Sequence, residues 1–250
     1  MSFSFFTFLF RPVMLFVAVT GLIIVTASCG GPAERIREKS SVEPSPSPTP
    51  GEREISGVFN VEGSAENGNN PYTGILTIQP QGDVYGFRWT TTKGSRVGTG
   101  LQIGNATAAS FAATGGGKGC GVVLYKIASD GSLNGRIGLW GEAQYATETA
   151  TRIEGRGFVG KYSVNGTSPD GNPYQGTLTI VKDGSGYDLT WTTPEPRVAF
   201  AIWKGSVAAG SFGGRQCSFF LYDIQSNGNL NGDWGGQAAV TFGTESAKRQ

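Results

Sequence analysis

From about residue 56 to the C-terminus, apolar and polar positions alternate with a period of two. Tyr187, Leu189, Trp191 and Thr193 fall on one face of an extended segment, and Asp188, Thr190 and Thr192 fall on the other. Tyr85, Phe87 and Trp89 alternate in the same way with Gly86, Arg88 and Thr90. Successive side chains of a strand point to opposite faces, so this alternation predicts half-buried strands. Turn pairs such as Asp130-Gly131, Asn165-Gly166, Asp183-Gly184 and Asn227-Gly228 punctuate the pattern roughly every 8 to 12 residues. No helical periodicity intervenes.

The pattern occurs twice. Asn70-Pro71-Tyr72-Thr73-Gly74-Ile75-Leu76-Thr77-Ile78 returns as Asn172-Pro173-Tyr174-Gln175-Gly176-Thr177-Leu178-Thr179-Ile180. Tyr85, Trp89 and Thr91 return as Tyr187, Trp191 and Thr193. Cys120, Leu124, Tyr125, Gly131, Leu133 and Gly135 return as Cys217, Leu221, Tyr222, Gly228, Leu230 and Gly232. Thr147-Glu148 with Arg152 matches Thr244-Glu245 with Arg249. A period near 100 residues is the size of a domain. The expected fold is all-β: two tandem copies of a small antiparallel meander, each with about eight strands closing an up-and-down barrel. β-sandwiches of the same strands are the alternative. The expected domains are 56–152 and 157–250, joined at Ile153-Glu154-Gly155-Arg156.

The N-terminus differs in kind. Residues 13–25 are almost continuously apolar, follow Arg11, and lead to Thr26-Ala27-Ser28-Cys29-Gly30. A short apolar run ending in small residues reads as a secretory signal, being shorter than a membrane span needs; an uncleaved transmembrane anchor is the alternative. The small residues before Cys29 resemble a bacterial lipobox. That resemblance implies a signal peptide over 1–28, acylation of Cys29 with palmitate, and anchoring in the cell envelope. Gly30 stands where an aspartate would favour inner-membrane retention, so the outer membrane is favoured. Residues 29–55 carry mixed charges and a Ser-Pro-Ser-Pro-Thr-Pro run, as a solvated tether does.

Composition narrows the chemistry. The formal charge is +1, and Arg11 is the only charged residue before Cys29, so nucleic acid is not an expected partner. Without any histidine, Ser-His-Asp and Cys-His catalysis and imidazole metal sites are excluded. No metal and no cofactor is expected. The 40 glycines suit short strands and tight turns.

Gly160-x-Tyr162-x-Val164-x-Gly166, then Pro-Tyr-x-Gly-x-Leu-x-Ile, Tyr-x-x-x-Trp, Gly-x-Leu-x-Gly and Thr-Glu together resemble a glycine-rich bacterial repeat sometimes labelled fibronectin-binding-like. Phe59 replaces the tyrosine in the first copy. The resemblance implies a domain family rather than an activity. Similarity to avidin-like barrels is one of architecture only.

Candidate site residues follow from these patterns. Trp89, Trp191, Tyr72, Tyr174, Tyr85 and Tyr187 are the candidate ligand contacts, as an aromatic-lined barrel mouth would use them. Arg88, Arg96, Arg197 and Trp203 are candidates for a protein-binding surface. Glu148 and Glu245 are expected to face outward, because they alternate with the aromatic pairs Tyr145/Thr147 and Phe242/Thr244. Cys120 and Cys217 begin the most apolar strands and read as small core residues; no disulfide is expected, although export permits one. Asp170-Gly171-Asn172 and Asp183-Gly184-Ser185-Gly186 are turns rather than calcium loops. The functional expectation is a non-enzymatic envelope lipoprotein, attached to the membrane by its lipid, that binds an extracellular or envelope protein or a polymer through two similar modules. The alternative is a carrier of a small apolar ligand inside the barrels.

Overall fold

The structure, a computed structural model, describes residues 52–65, 68–112, 116–237, 239 and 241–250. The expected signal peptide, Cys29 and nearly all of the expected tether lie outside the described residues. Sixteen antiparallel strands close two eight-stranded barrels. Barrels, not sandwiches, are the outcome, and closure leaves no sheet edge unpaired.

The first barrel takes β1 (Gly57–Ser64), β2 (Tyr72–Gln81), β3 (Val84–Thr91), β4 (Gly94–Ile103) and β5 (Ala106–Ala112) from the first sequence copy. It is completed by β14 (Cys217–Ile224), β15 (Leu230–Gly236) and β16 (Gly243–Arg249) from the second. The second barrel runs uninterrupted through β6 (Gly121–Ile127), β7 (Leu133–Leu139), β8 (Ala146–Arg156), β9 (Val159–Thr167), β10 (Pro173–Asp183), β11 (Gly186–Thr192), β12 (Arg197–Lys204) and β13 (Val207–Phe212). The expectation of one barrel per sequence copy is therefore corrected. The copies exchange their last three strands, and the second barrel is inserted whole between β5 and β14 of the first.

The physical reason is that matching strands carry matching residues. β5 pairs with β14 (Ala112 with Cys217, Phe111 with Ser218), and β13 pairs with β6 (Phe212 with Gly121, Ser211 with Val122). In each barrel the five leading strands of one copy accept the three trailing strands of the other. What distinguishes exchange from self-closure is the path of the chain between β5 and β6 and between β13 and β14.

Those two crossings touch. Cys120 and Cys217 form a disulfide with Cα atoms 5.6 Å apart, against the expectation of none. Gly213 has a φ of +115°, and a Cβ on it would run into the Gly119 carbonyl oxygen. Only glycine lets the strands pass so closely there. The two positions meet because they are the same position in two exchanged copies, which a single-copy reading cannot see.

Exchange also explains why β5, β6 and β14 are so continuously apolar. Each has one face in its own barrel and the other against the neighbouring barrel. Leu101, Ala108, Phe219 and Leu221 from the first barrel pack on Val122, Leu124, Phe200 and Ile202 from the second, forming a third core between the two interiors. A strand covered on both faces reads as an apolar run rather than an alternation. Arg136 spans the seam, paired with Glu52 at 2.9 Å and stacked over Tyr145 at 4.8 Å.

Each barrel is stoppered at one end. Ile55 closes the first and Phe158 the second, both fully buried at equivalent positions of the repeat. Arg249 lies 4.8 Å from the Phe59 ring, and Arg152 lies 5.6 Å from Tyr162. The opposite ends hold the candidate sites.

Candidate functional site

Near the open end of each barrel a glutamate points inward, contrary to expectation. On β8, Ala146, Glu148 and Ala150 are buried while Thr147 and Thr149 are exposed. On β16, Gly243, Glu245 and Ala247 form the same buried row. The strand begins after Tyr145, so that aromatic does not share its parity with the interior. Tyr145 lies instead against the seam between the barrels.

Each carboxylate is held by three donors. In the first barrel Glu245 accepts hydrogen bonds from Tyr72 Oη (2.7 Å), Tyr222 Oη (2.5 Å) and Trp89 Nε1 (3.2 Å). In the second, Glu148 accepts from Tyr174 Oη (2.9 Å), Trp191 Nε1 (3.0 Å) and Tyr125 Oη. Among the described residues neither glutamate has an ion-pair partner. Burial of a lone carboxylate costs several kcal/mol, offset here by three charge-assisted hydrogen bonds of about 1.5–3 kcal/mol each.

Glycines make the seats for these rings. A Cβ on Gly63 or Gly166, the glycines opposite the glutamates on β1 and β9, would strike the Tyr72 or Tyr174 ring. A Cβ on Gly135 or Gly232, opposite the glutamates on β7 and β15, would strike Tyr125 or Tyr222. The glycine spacing of the repeat is thus the footprint of four tyrosines.

Because the copies are exchanged, each site is composite. Tyr72 and Trp89 come from the first copy, whereas Tyr222 and Glu245 come from the second; the other barrel reverses this. Burial and then the neighbouring Glu245 charge hold the Tyr72 and Tyr222 hydroxyls far above their ordinary range. Burial and Glu148 do the same to Tyr125 and Tyr174. The four phenols are therefore fixed as donors. Glu245 itself is raised, chiefly by burial, with its three donors pulling it back.

Of the six aromatic candidates, four take part: Tyr72 and Trp89 in one site, Tyr174 and Trp191 in the other. Tyr85 and Tyr187 lie toward the stoppered ends. Tyr85 is buried, with its hydroxyl pushed up to about 12 by burial and by Glu54 and Glu52. Tyr187 packs edge-on against Phe158, 5.1 Å between centroids. Trp203 extends that cluster at the second barrel's closed end. Tyr125, Tyr222 and the inward glutamates are the members that sequence reasoning missed. The row Ala-Thr-Glu-Thr-Ala carried the signal, with small residues at the same parity as the acid.

Above this shared clamp the barrels differ. The first opens into a cavity of about 400 Å³ that reaches Trp89, Phe111, Phe220, Trp234 and Glu245, with Lys93 and Arg96 also lining it. Trp89 stacks on Phe220 at 4.9 Å, and both barrel walls here are aromatic. The second mouth is a basin of about 530 Å³ above Tyr174, walled by Ile137 and Leu139 and edged by Glu142, Asp170 and Glu195. Neither Trp191 nor Glu148 lines it. Asp170 is spent on its own turn, accepting from the Ser168 hydroxyl and the Asn172 amide. Among the described residues no group of three or more His, Cys, Asp or Glu is placed to hold a metal ion.

No protein-family model matches the chain, and no curated protein or solved structure matches it.

Proposed function

We propose that the protein is a non-enzymatic, lipid-anchored binding protein of the bacterial cell envelope, and that its ligand is a small molecule received in the mouth of the first barrel. One observation carries this reading. The first barrel keeps an aromatic-walled cavity of about 400 Å³ that runs down to the buried Glu245 clamp. That is the size and lining of an ordinary small-molecule site, apolar walls with a few convergent polar groups. Of the two functional expectations, the carrier reading therefore has more support than a pair of equivalent protein-binding modules. Two equivalent modules would be expected to present similar mouths, and these do not. The envelope anchor rests on the lipobox at Cys29 and the Pro-rich tether.

A non-enzymatic role fits the clamp. Glu148 and Glu245 occupy separate barrels, so these two acids do not face one substrate as a pair. Each acid is already engaged by three donors, and the phenols stay protonated.

The test exchanges one residue between barrels. Phe220 and Val123 occupy matching positions on β14 and β6. Small molecules extracted from the purified full chain are identified by mass spectrometry, for wild type, Phe220→Val and Val123→Phe. A compound retained by wild type and Val123→Phe but lost from Phe220→Val is the expected result. Retention that is equal in all three, or the absence of any bound small molecule, overturns the reading in favour of a macromolecular partner.

A further inference from the structure

Arg96 and Arg197 are the same residue in two copies. Each guanidinium lies over the matching phenylalanine, Arg96 at 5.8 Å from Phe111 and Arg197 at 5.6 Å from Phe212. Their surroundings differ in charge. Arg197 is paired with Glu195 at 2.8 Å. In the first copy the turn that leads to Arg96 carries Lys93 and no acid. Among the described residues Arg96 has no ion-pair partner, and its Nε is buried without a hydrogen-bond partner. The acids at the second mouth, Glu142, Asp170 and Glu195, have no counterpart among the described residues lining the first. There the only carboxylate among the described residues is Glu245, at the floor and engaged by its three donors.

Resting on the reading of this mouth as a small-ligand site, we propose that it takes an amphipathic organic anion. The flat apolar body lies against Trp89, Phe220 and Trp234, and the acid group binds Arg96 and Lys93 at the rim. The arrangement sets the direction of entry. Glu245 repels a negative group at the floor, while the two rim cations attract it, so the body goes in first and the acid remains outside. A cationic ligand meets Lys93 and Arg96 on entry. A neutral ligand leaves the Arg96 Nε unpaired, a costly omission for a buried charged donor. Guanidinium suits this role because it pairs with a carboxylate in a planar, two-pronged geometry while its face stacks on a ring.

Calorimetric titration of the full chain in nanodiscs with three probes of one shape tests this: 2-naphthoate, 2-naphthamide and 2-naphthylmethylammonium. The acid is expected to bind at least about tenfold more tightly than the amide, the equivalent of one charge-assisted hydrogen bond, with the ammonium weakest. Lys93→Glu, which reverses the charge at an exposed turn, is expected to bring the acid down to the amide's affinity, and Arg96→Gln to do the same. If the amide or the ammonium matches the acid, the anion assignment fails while the small-ligand reading stands. Acid binding unchanged in both variants also overturns the assignment. Binding of none of the three probes overturns the assignment and the reading together.

Discussion

At position 220 the first barrel has phenylalanine, and at the matching position 123 the second has valine. At 234 and 137 the pair is tryptophan and isoleucine; the turn between β3 and β4 carries Lys93, and that between β11 and β12 carries Glu195. Beneath these differences the Glu-Tyr-Tyr-Trp clamp is the same in both, to the donor atoms. A feature kept in both copies under such different mouths is best understood as structural. It ties β16 or β8 to three other strands across a barrel interior, fixing register where a one-residue slip would turn every side chain around. The residues that vary stand above it, where a ligand would arrive. Duplication has preserved the clamp and released the rim.

The comparison can be broken most severely at the level of whole barrels. Because the second barrel is contiguous, residues 121–212 expressed alone are expected to melt cooperatively, followed by circular dichroism. A fragment that never shows a cooperative transition would mean that the seam of Leu101, Phe219, Val122 and Phe200 makes one core of both barrels. Next in size are the clamp tryptophans. Trp89→Ala is expected to cost about 3–5 kcal/mol in denaturant unfolding, and Trp191→Ala less, because Trp89 alone stacks on Phe87 and Phe220. Equal losses would show that the aromatic wall adds nothing to packing.

The disulfide acts on both barrels at once. Its bond spans a sequence separation of 97 residues. Cys120→Ser is expected to cost about 2–4 kcal/mol and to lower the melting temperatures of the two barrels together. A loss confined to one barrel would show that the crossing belongs to that barrel alone. Glu245→Gln is smaller still, about 1–3 kcal/mol, since an amide accepts fewer and weaker bonds from Tyr72, Tyr222 and Trp89. The smallest effect is on pH dependence. Glu245 is raised in the folded state, so its contribution is complete below the ordinary value of 4.5 and is lost as pH rises through the folded value. Glu245→Gln should remove that decline from a plot of stability against pH. A variant curve parallel to wild type would mean that burial of this acid is fully offset.

Strands, turns, duplication and barrel closure were legible in the residues, because period two and paired motifs are local signals. The partners in closure were not. β14 and β6 offer nearly the same edge to β5, so nothing in either copy's strands distinguishes self-pairing from exchange. The inward glutamates were missed through parity: Tyr145 precedes the strand rather than sharing its face, and Ala146 and Ala150 marked the true interior. The Cys120–Cys217 pair was open in the sequence, since export permits a disulfide, but only the exchange gives a reason for the two positions to meet. Arg96 reads from the sequence as a candidate for a protein-binding surface, but its half-buried seat over Phe111 depends on barrel geometry.

The nesting of one barrel within the other also sets a timetable. Synthesis delivers the chain from its N-terminus, and domains generally close as their residues become available. The second barrel can close once Phe212 has emerged. The first must wait, with β1 and β5 unpaired on one side, until residues 217–249 arrive to join Phe59 to Arg249 and Ala112 to Cys217. During that interval β6–β8 are the nearest competitors for the open edges, and early capture of them by β1 and β5 would yield the self-closed isomer. Long-range pairing of this kind is slow. The Cys120–Cys217 bond ties the two crossings together once they lie side by side, and so holds the nested arrangement in place.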